Sequence, residues 1–182
     1  MQNASTIHKA TVIGAGAMGS GIAQVLAQAG VQVFLFDTKD EALDRAMSKL
    51  GGTMERLVEK GRLTSEEREG ILGRIHPILY LREAAESDLV IEAIYESLEA
   101  KRSVFTLIDD VVRPDCILAT NTSSLSIAAI SSGVTHPERL IGLHFFNPAP
   151  LMPLVEIVPS LATDPAVVAR CEAEVLRWGK VG

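Results

Sequence analysis

Cysteine is scarce: two residues among 182 give no disulfide framework. Cys116 opens an apolar run and Cys171 lies in a helix-like stretch, so both read as reduced core or near-core thiols of a cytoplasmic protein. Long apolar runs are absent as well. No stretch reaches the roughly 18 residues of a membrane-spanning helix, and residues 1–9 are too polar for a signal peptide. Positive charge is in deficit, with 17 Lys and Arg against 23 Asp and Glu, a net charge of −6. Such a chain is a poor candidate for nonspecific nucleic-acid binding. Repeats and low-complexity tracts are also missing. What remains is 47% hydrophobic and 22% charged, an ordinary globular mix that excludes disorder, collagen and coiled coil. A chain of this length buries about 70% of its unfolded surface, enough for a core without disulfides or metals.

Short apolar runs alternate with longer amphipathic stretches. The runs predict strands over 9–13, 32–37, 75–81, 89–93, 116–120, 140–144 and 155–158. Most are β-branched or continuously apolar, as strands covered on both faces require. Helices are predicted over 18–28, 41–60, 98–112, 127–132 and 165–178, the last opening on an Asp164 cap followed by Pro165. Strand–helix alternation predicts an α/β fold, a Rossmann-like doubly wound and mostly parallel sheet. The sequence stops at Gly182, just after a helix end, and reads as the N-terminal portion of something longer.

The first strand runs into Gly14-Ala15-Gly16-Ala17-Met18-Gly19. A G-x-G-x-x-G run is informative when it follows a strand and opens a helix, as here. Gly14 suits the tight turn, Gly16 a close backbone approach to a pyrophosphate, and Gly19 close packing of the helix. The helix start supplies free N–H groups to phosphates. Asp37 ends the second strand, 18 residues after Gly19. Its carboxylate can accept two ribose hydroxyls and would repel a 2′-phosphate, which favours NAD over NADP; Lys39 nearby pulls the other way. The plainer alternative is a structural glycine turn with a surface Asp.

Two further segments carry more specific information: Asn121-Thr122-Ser123-Ser124-Leu125-Ser126-Ile127 and Gly142-Leu143-His144-Phe145-Phe146-Asn147-Pro148. With Gly14–Ala23 they closely resemble the NAD-binding domain of the L-3-hydroxyacyl-CoA dehydrogenase family, and its bacterial 3-hydroxybutyryl-CoA and 3-hydroxyadipyl-CoA members most of all. The likeness runs from about His8 to the last residue. Family members add an all-helical domain that carries most of the dimer contact and one more Asn of the catalytic site. That domain is absent here, so residues 1–182 read as the NAD-binding domain of a protein that is a homodimer at full length.

Moving a hydride from a secondary alcohol to a nicotinamide requires a base for the hydroxyl proton. Among the histidines, His144 ends an apolar strand, where open α/β sheets place their crevice. His8 lies near the terminus, and His76 and His136 each precede a proline; these three read as structural or surface residues. A base histidine is improved by a carboxylate that orients it. Glu156 lies beyond the proline-rich stretch 148–153, which must turn and can return it beside His144. A glutamate on an edge strand facing water is the alternative, and the resemblance matches Glu156 to the His-paired acid. Ser123 follows the 116–120 strand. It can hydrogen-bond the substrate's 3-oxygen, or merely cap a helix, a use equally open to Ser124 and Ser126. The resemblance puts the functional hydroxyl on Ser123, with Ser124 as fallback. It also implies cofactor contacts for Asn147 and, at the nicotinamide half, for Glu96 and Lys101. From the residues alone, Asn147 can simply support a turn, and Glu96 and Lys101 can be the start of a surface helix.

In the 41–60 helix, Leu43, Ala46, Met47, Leu50, Met54, Leu57 and Val58 fall within an arc of about 120°. Arg45, Lys49, Arg56 and Lys60 fall within about 60° beside it. A cationic stripe is commonly a solvated face, yet it can also attract the phosphates of coenzyme A. The resemblance implies a helical hairpin here that contacts the acyl-CoA substrate, with Thr53 and Lys60 at the contacting positions. Gly51-Gly52 is expected to bend or loosen the helix. Together these features favour reversible NAD-dependent oxidation of an L-3-hydroxyacyl-CoA to a 3-oxoacyl-CoA. The alternative is an NAD-binding relative, or fragment, that does not turn over.

Overall fold

A computed structural model describes residues 6–182. The signal-peptide reading of 1–9 falls largely on residues 1–5, which lie outside the described residues. The strands β1 (Lys9–Ile13), β2 (Gln32–Phe36), β3 (Ile75–Ile78), β4 (Leu89–Glu92), β5 (Ile117–Thr120), β6 (Leu140–Phe145) and β7 (Val155–Pro159) form one sheet in the order β3-β2-β1-β4-β5-β6-β7. β1 to β6 are parallel, and β7 pairs antiparallel with β6. The winding reverses between β1 and β4, where a Rossmann-like sheet opens its ligand crevice at the carboxyl ends of the strands.

The helices are α1 (Ala17–Gln28), α2 (Asp40–Glu59), α3 (Ser65–Gly73), α4 (Leu98–Asp109), α5 (Ile127–Ser131) and α6 (Pro165–Arg177). Alternate strand residues feed two apolar clusters. One joins Val12, Leu35 and Ile91 to Ile22 and Leu26 of α1, Leu43 and Leu50 of α2, and Val175 of α6. The other joins Ile13, Val90 and Leu118 to Phe105 and Ile108 of α4 and Ile130 of α5. Every residue of β4 and β5 is buried, which is why these strands read as apolar runs up to a polar last residue, Glu92 and Thr120. β3 and β7 are the sheet edges, where Pro77 and Pro159 remove no interior ladder bond.

Several boundaries differ from expectation. β2 stops at Phe36, leaving Asp37 in the following loop. β3 stops at Ile78 because Glu83 accepts the amides of Leu79 and Tyr80 at 3.2 and 3.0 Å and starts a 3₁₀ turn. α4 ends at Asp109, and the amides of Val111 and Val112 both return to the Ile108 carbonyl. α3 has weak apolar periodicity and was not predicted as an element. A capping box at Thr64 and Glu67 starts it, and it folds back on α2 with an Arg68–Glu55 ion pair at 2.9 Å. α2 runs as one helix through Gly51 and Gly52, so the two glycines do not interrupt it. Its buried face is Leu43, Ala46, Leu50 and Met54. The tertiary burial of that face outweighs the local cost of two glycines. Asp164 caps α6 as expected, accepting the Ala166 amide at 2.8 Å. Cys116 and Cys171 are free and buried. Burial pushes both thiols up to about 12, so neither is nucleophilic near neutrality.

Candidate active site

The glycine loop is dictated by contact distances. Gly14 has φ +107°, and a Cβ there would sit 2.6 Å from the Ala93 carbonyl oxygen on β4. A Cβ at Gly19 would sit 1.7 Å from the Gly14 carbonyl oxygen, so α1 can start this close to the loop only without a side chain there. Gly16 faces open space and precedes α1, whose first-turn amides have no helical acceptor. The Met18 side chain packs on the core, leaving its backbone amide as the group it can offer a ligand. Gly14, Ala15, Gly16, Ala17 and Asp37 line a cleft of about 700 Å³. Asp37 accepts the Ala15 amide at 2.8 Å and the Lys39 amide at 3.0 Å, tying the end of β2 to the loop. A nucleotide fits this arrangement: backbone N–H groups and a helix N-terminus for phosphates, a carboxylate for ribose hydroxyls. Arg45 and Lys49 of the cationic stripe border the same cleft, so half of that stripe lies beside the nucleotide site. Thr53 is half-buried farther along α2, and exposed Lys60 caps its C-terminus.

At the other end of the sheet, His144 on β6 is directly opposite Glu156 on β7. Glu156 Oε2 lies 2.8 Å from His144 Nδ1. A carboxylate acceptor at Nδ1 selects the Nδ1–H tautomer of a neutral imidazole, the form whose Nε2 offers a lone pair. The Phe146 ring packs against the imidazole with centroids 4.6 Å apart. Glu156 is 51% exposed and on an edge strand, so the water-facing expectation and the pairing expectation hold together. The turn that returns β7 is pinned by a residue not predicted to matter. Buried Lys180 donates to the carbonyls of Ala149, Pro150 and Met152 at 2.8, 3.2 and 2.8 Å. Burial lowers the pKa of its ammonium.

Ser123 lies in the β5–α5 loop, exposed. It shares a hollow of about 560 Å³ with Ser124, His144 and Glu156. Ser126, not Ser123, caps α5 by accepting the Ala129 amide, which leaves the Ser123 hydroxyl free of that task. Asn121 Oδ1 accepts the Phe145 amide at 2.8 Å, fixing the loop to the end of β6; it too was not singled out. Asn147 is exposed in the turn after β6.

Glu96 and Lys101 do flank the start of α4, with Glu96 exposed, but Lys101 points inward rather than to the surface. Lys101 is only 1% exposed. Its ammonium meets Glu92 Oε1 at 2.7 Å and Glu96 Oε2 at 3.1 Å. Glu96 Oε1 accepts the hydroxyl of Thr122 and, at 3.2 Å, the Ser123 amide. Burial pushes the Glu96 carboxyl up, but the bonds from Thr122 and Lys101 outweigh it and hold the pKa below its ordinary value. Glu92, fully buried at the end of β4, was missed because it closes an apolar run and its partner lies on another element.

Residues 9–182 match the family described as 3-hydroxyacyl-CoA dehydrogenase, NAD binding domain. The chain is 46% identical over 174 residues to 3-hydroxyadipyl-CoA dehydrogenase of Escherichia coli (strain K12), covering 96% of this chain and 37% of that protein. It is 42% identical over 167 residues to 3-hydroxybutyryl-CoA dehydrogenase of Mycobacterium tuberculosis (strain ATCC 25618 / H37Rv), covering 91% of this chain and 58% of that protein. The crystal structure of 3-hydroxybutyryl-CoA dehydrogenase from E. coli K12 superposes with a TM-score of 0.96 at 45% identity, covering 97% of this chain and 38% of that one. The chain thus spans 37% to 58% of the length of these curated relatives.

Proposed function

This chain belongs to the 3-hydroxyacyl-CoA dehydrogenase family, matching its NAD-binding domain, and on that premise we propose that it serves reversible oxidation of an L-3-hydroxyacyl-CoA to the 3-oxoacyl-CoA. Bound NAD supplies the hydride acceptor. The protein supplies position and proton handling. His144 Nε2 takes the 3-hydroxyl proton during oxidation and returns it during reduction. Glu156 holds the imidazole through Nδ1 and stabilises its charged form. The Ser123 hydroxyl orients the 3-oxygen, with Ser124 the nearest substitute. Gly14, Ala15, Gly16, Ala17, Met18 and Gly19 seat the pyrophosphate and Asp37 the ribose, while Glu96, Lys101 and Asn147 face the nicotinamide half. Thr53 and Lys60 take the coenzyme A end of the substrate, a small-molecule partner. Neither nucleic acid nor membrane is among its partners, and the protein is cytoplasmic. Among the described residues, no helix is long and apolar enough to cross a membrane.

The observation that carries the proposal is the 2.8 Å His144–Glu156 pair on the wall of the hollow that also holds Ser123. A helical domain that closes the cleft and makes the homodimer would have exposed apolar residues such as Leu151, Leu161, Leu176 and Val181 available to cover. In that case residues 1–182 bind cofactor but turn over poorly. The test joins residues 1–182 to the helical domain of a two-domain relative and follows acetoacetyl-CoA-dependent NADH oxidation. Activity of the chimera that falls at least 100-fold with His144→Gln supports the proposal. NADH binding without any turnover by the folded chimera leaves only a cofactor-binding role.

A further inference from the structure

We propose that Glu92 is a positioning residue that orders the Ser123 loop through Lys101 and Glu96. The importance of that loop rests on the dehydrogenase reading; the connection itself does not.

Glu92 ends β4, paired with Thr120 of β5, and is fully buried. Its carboxylate accepts three charge-assisted hydrogen bonds: Thr120 Oγ1 at 2.7 Å, the Ile94 amide at 2.7 Å and Lys101 Nζ at 2.7 Å. A buried carboxylate is costly unless so satisfied, and an apolar residue would fill the end of β4 more cheaply. Retaining two carboxylates around one ammonium therefore calls for a use. Lys101 Nζ reaches onward to Glu96 at 3.1 Å. Glu96 then gathers the loop through the Thr122 hydroxyl, the Ser123 amide at 3.2 Å and the Ser124 hydroxyl at 3.4 Å. Thr122 Oγ1 in turn accepts the Ser124 and Leu125 amides at 3.4 and 3.0 Å. Among these bonds the Ser123 amide is held only by Glu96. The chain of contacts runs from the sheet interior to the serine beside His144. Without Glu92, the Lys101 ammonium keeps one counter-charge, exposed Glu96, and a long bond to the Ile94 carbonyl at 3.4 Å.

The test uses residues 1–182 with Glu92→Gln, Lys101→Met and the double variant, followed by amide hydrogen exchange and thermal melting. The expected result is about tenfold faster exchange at Ser123, Ser124 and Leu125 in all three, with the His144 and Phe145 amides of β6 unchanged. The double variant removes the ammonium stranded by the single change, so it recovers melting temperature but not loop protection. A purely structural pair predicts recovery of both. Wild-type exchange rates at the loop in the double variant would overturn the proposal, even if Glu92→Gln alone fails to fold. NADH titration of the wild-type chain is read separately. Absence of binding there would strike the dehydrogenase reading and leave the exchange result to decide the role of Glu92.

Discussion

His144 and Glu156 face each other as one rung of the antiparallel β6–β7 ladder, with Nδ1 and Oε2 2.8 Å apart. The distance is set by strand register, so the carboxylate orients the imidazole without a flexible loop in between. In the two-domain chimera, Glu156→Gln should keep the hydrogen bond but lose the countercharge. The rate of acetoacetyl-CoA reduction should fall by about 10- to 1,000-fold, with NADH affinity within twofold of wild type. Equal losses of NADH affinity and rate would point to a folding defect instead.

The nucleotide cleft makes its own prediction. Asp37→Ser removes the ribose partner and the acceptor that ties β2 to the Ala15 amide. Fluorescence titration should show NADH binding about tenfold weaker, with the preference over NADPH reduced or lost. Unchanged discrimination would mean that Asp37 does not set the choice.

The glycines divide into two kinds that melting curves can separate. Gly19→Ala drives a methyl into the Gly14 carbonyl and should cost about 3 kcal/mol or prevent folding. Gly52→Ala meets nothing within 4 Å in the interior of α2 and should raise stability by about 0.5–1 kcal/mol.

Acid should weaken the fold. Burial raises the Asp109 carboxyl, but hydrogen bonds from Arg139 and the Thr135 amide outweigh it and lower its pKa below 3.8. Asp88 is likewise lowered: the amides of Lys9 and His8 and the Arg113 side chain overcome burial. With folded-state pKa values below the unfolded ones, the unfolded chain takes up protons first. The stability these carboxylates contribute is complete above about pH 5 and is lost as pH falls through their depressed values. Urea unfolding should therefore show a lower midpoint at pH 3 than at pH 6. Arg139→Met strands a buried charge. It should cost about 3–5 kcal/mol at pH 6 and narrow the difference between the two pH values.

Local backbone demands made the glycine loop readable. A positive φ at Gly14 and a 1.7 Å approach at Gly19 leave glycine little competition, and the strand before and helix after give the pattern its context. His144 was readable from its place near the carboxyl end of an apolar strand together with the resemblance of the segment around it. Glu92 and Lys180 were not, because their value lies in partners that sequence spacing does not reveal: an ammonium nine residues away on another element, and three carbonyls of a turn about 30 residues upstream. α3 left a legible cap at Thr64 and Glu67, but its short, glycine-bearing sequence has too few apolar residues for a periodic stripe. Gly51-Gly52 sit inside a continuous helix because propensity is a local quantity and the anchoring of Leu50 and Met54 in the core is not.

β7 is the one strand that reverses direction, and this has a consequence for how the acid–base pair comes into being. Side chains alternate along a strand, so a slip of one residue would turn Glu156 to the opposite side and set an apolar neighbour across from the imidazole. The same slip would move buried Val155 toward water, a cost that works against the half-correct arrangement. The register that completes the sheet at this edge is thus also the register that sets Glu156 across from the imidazole.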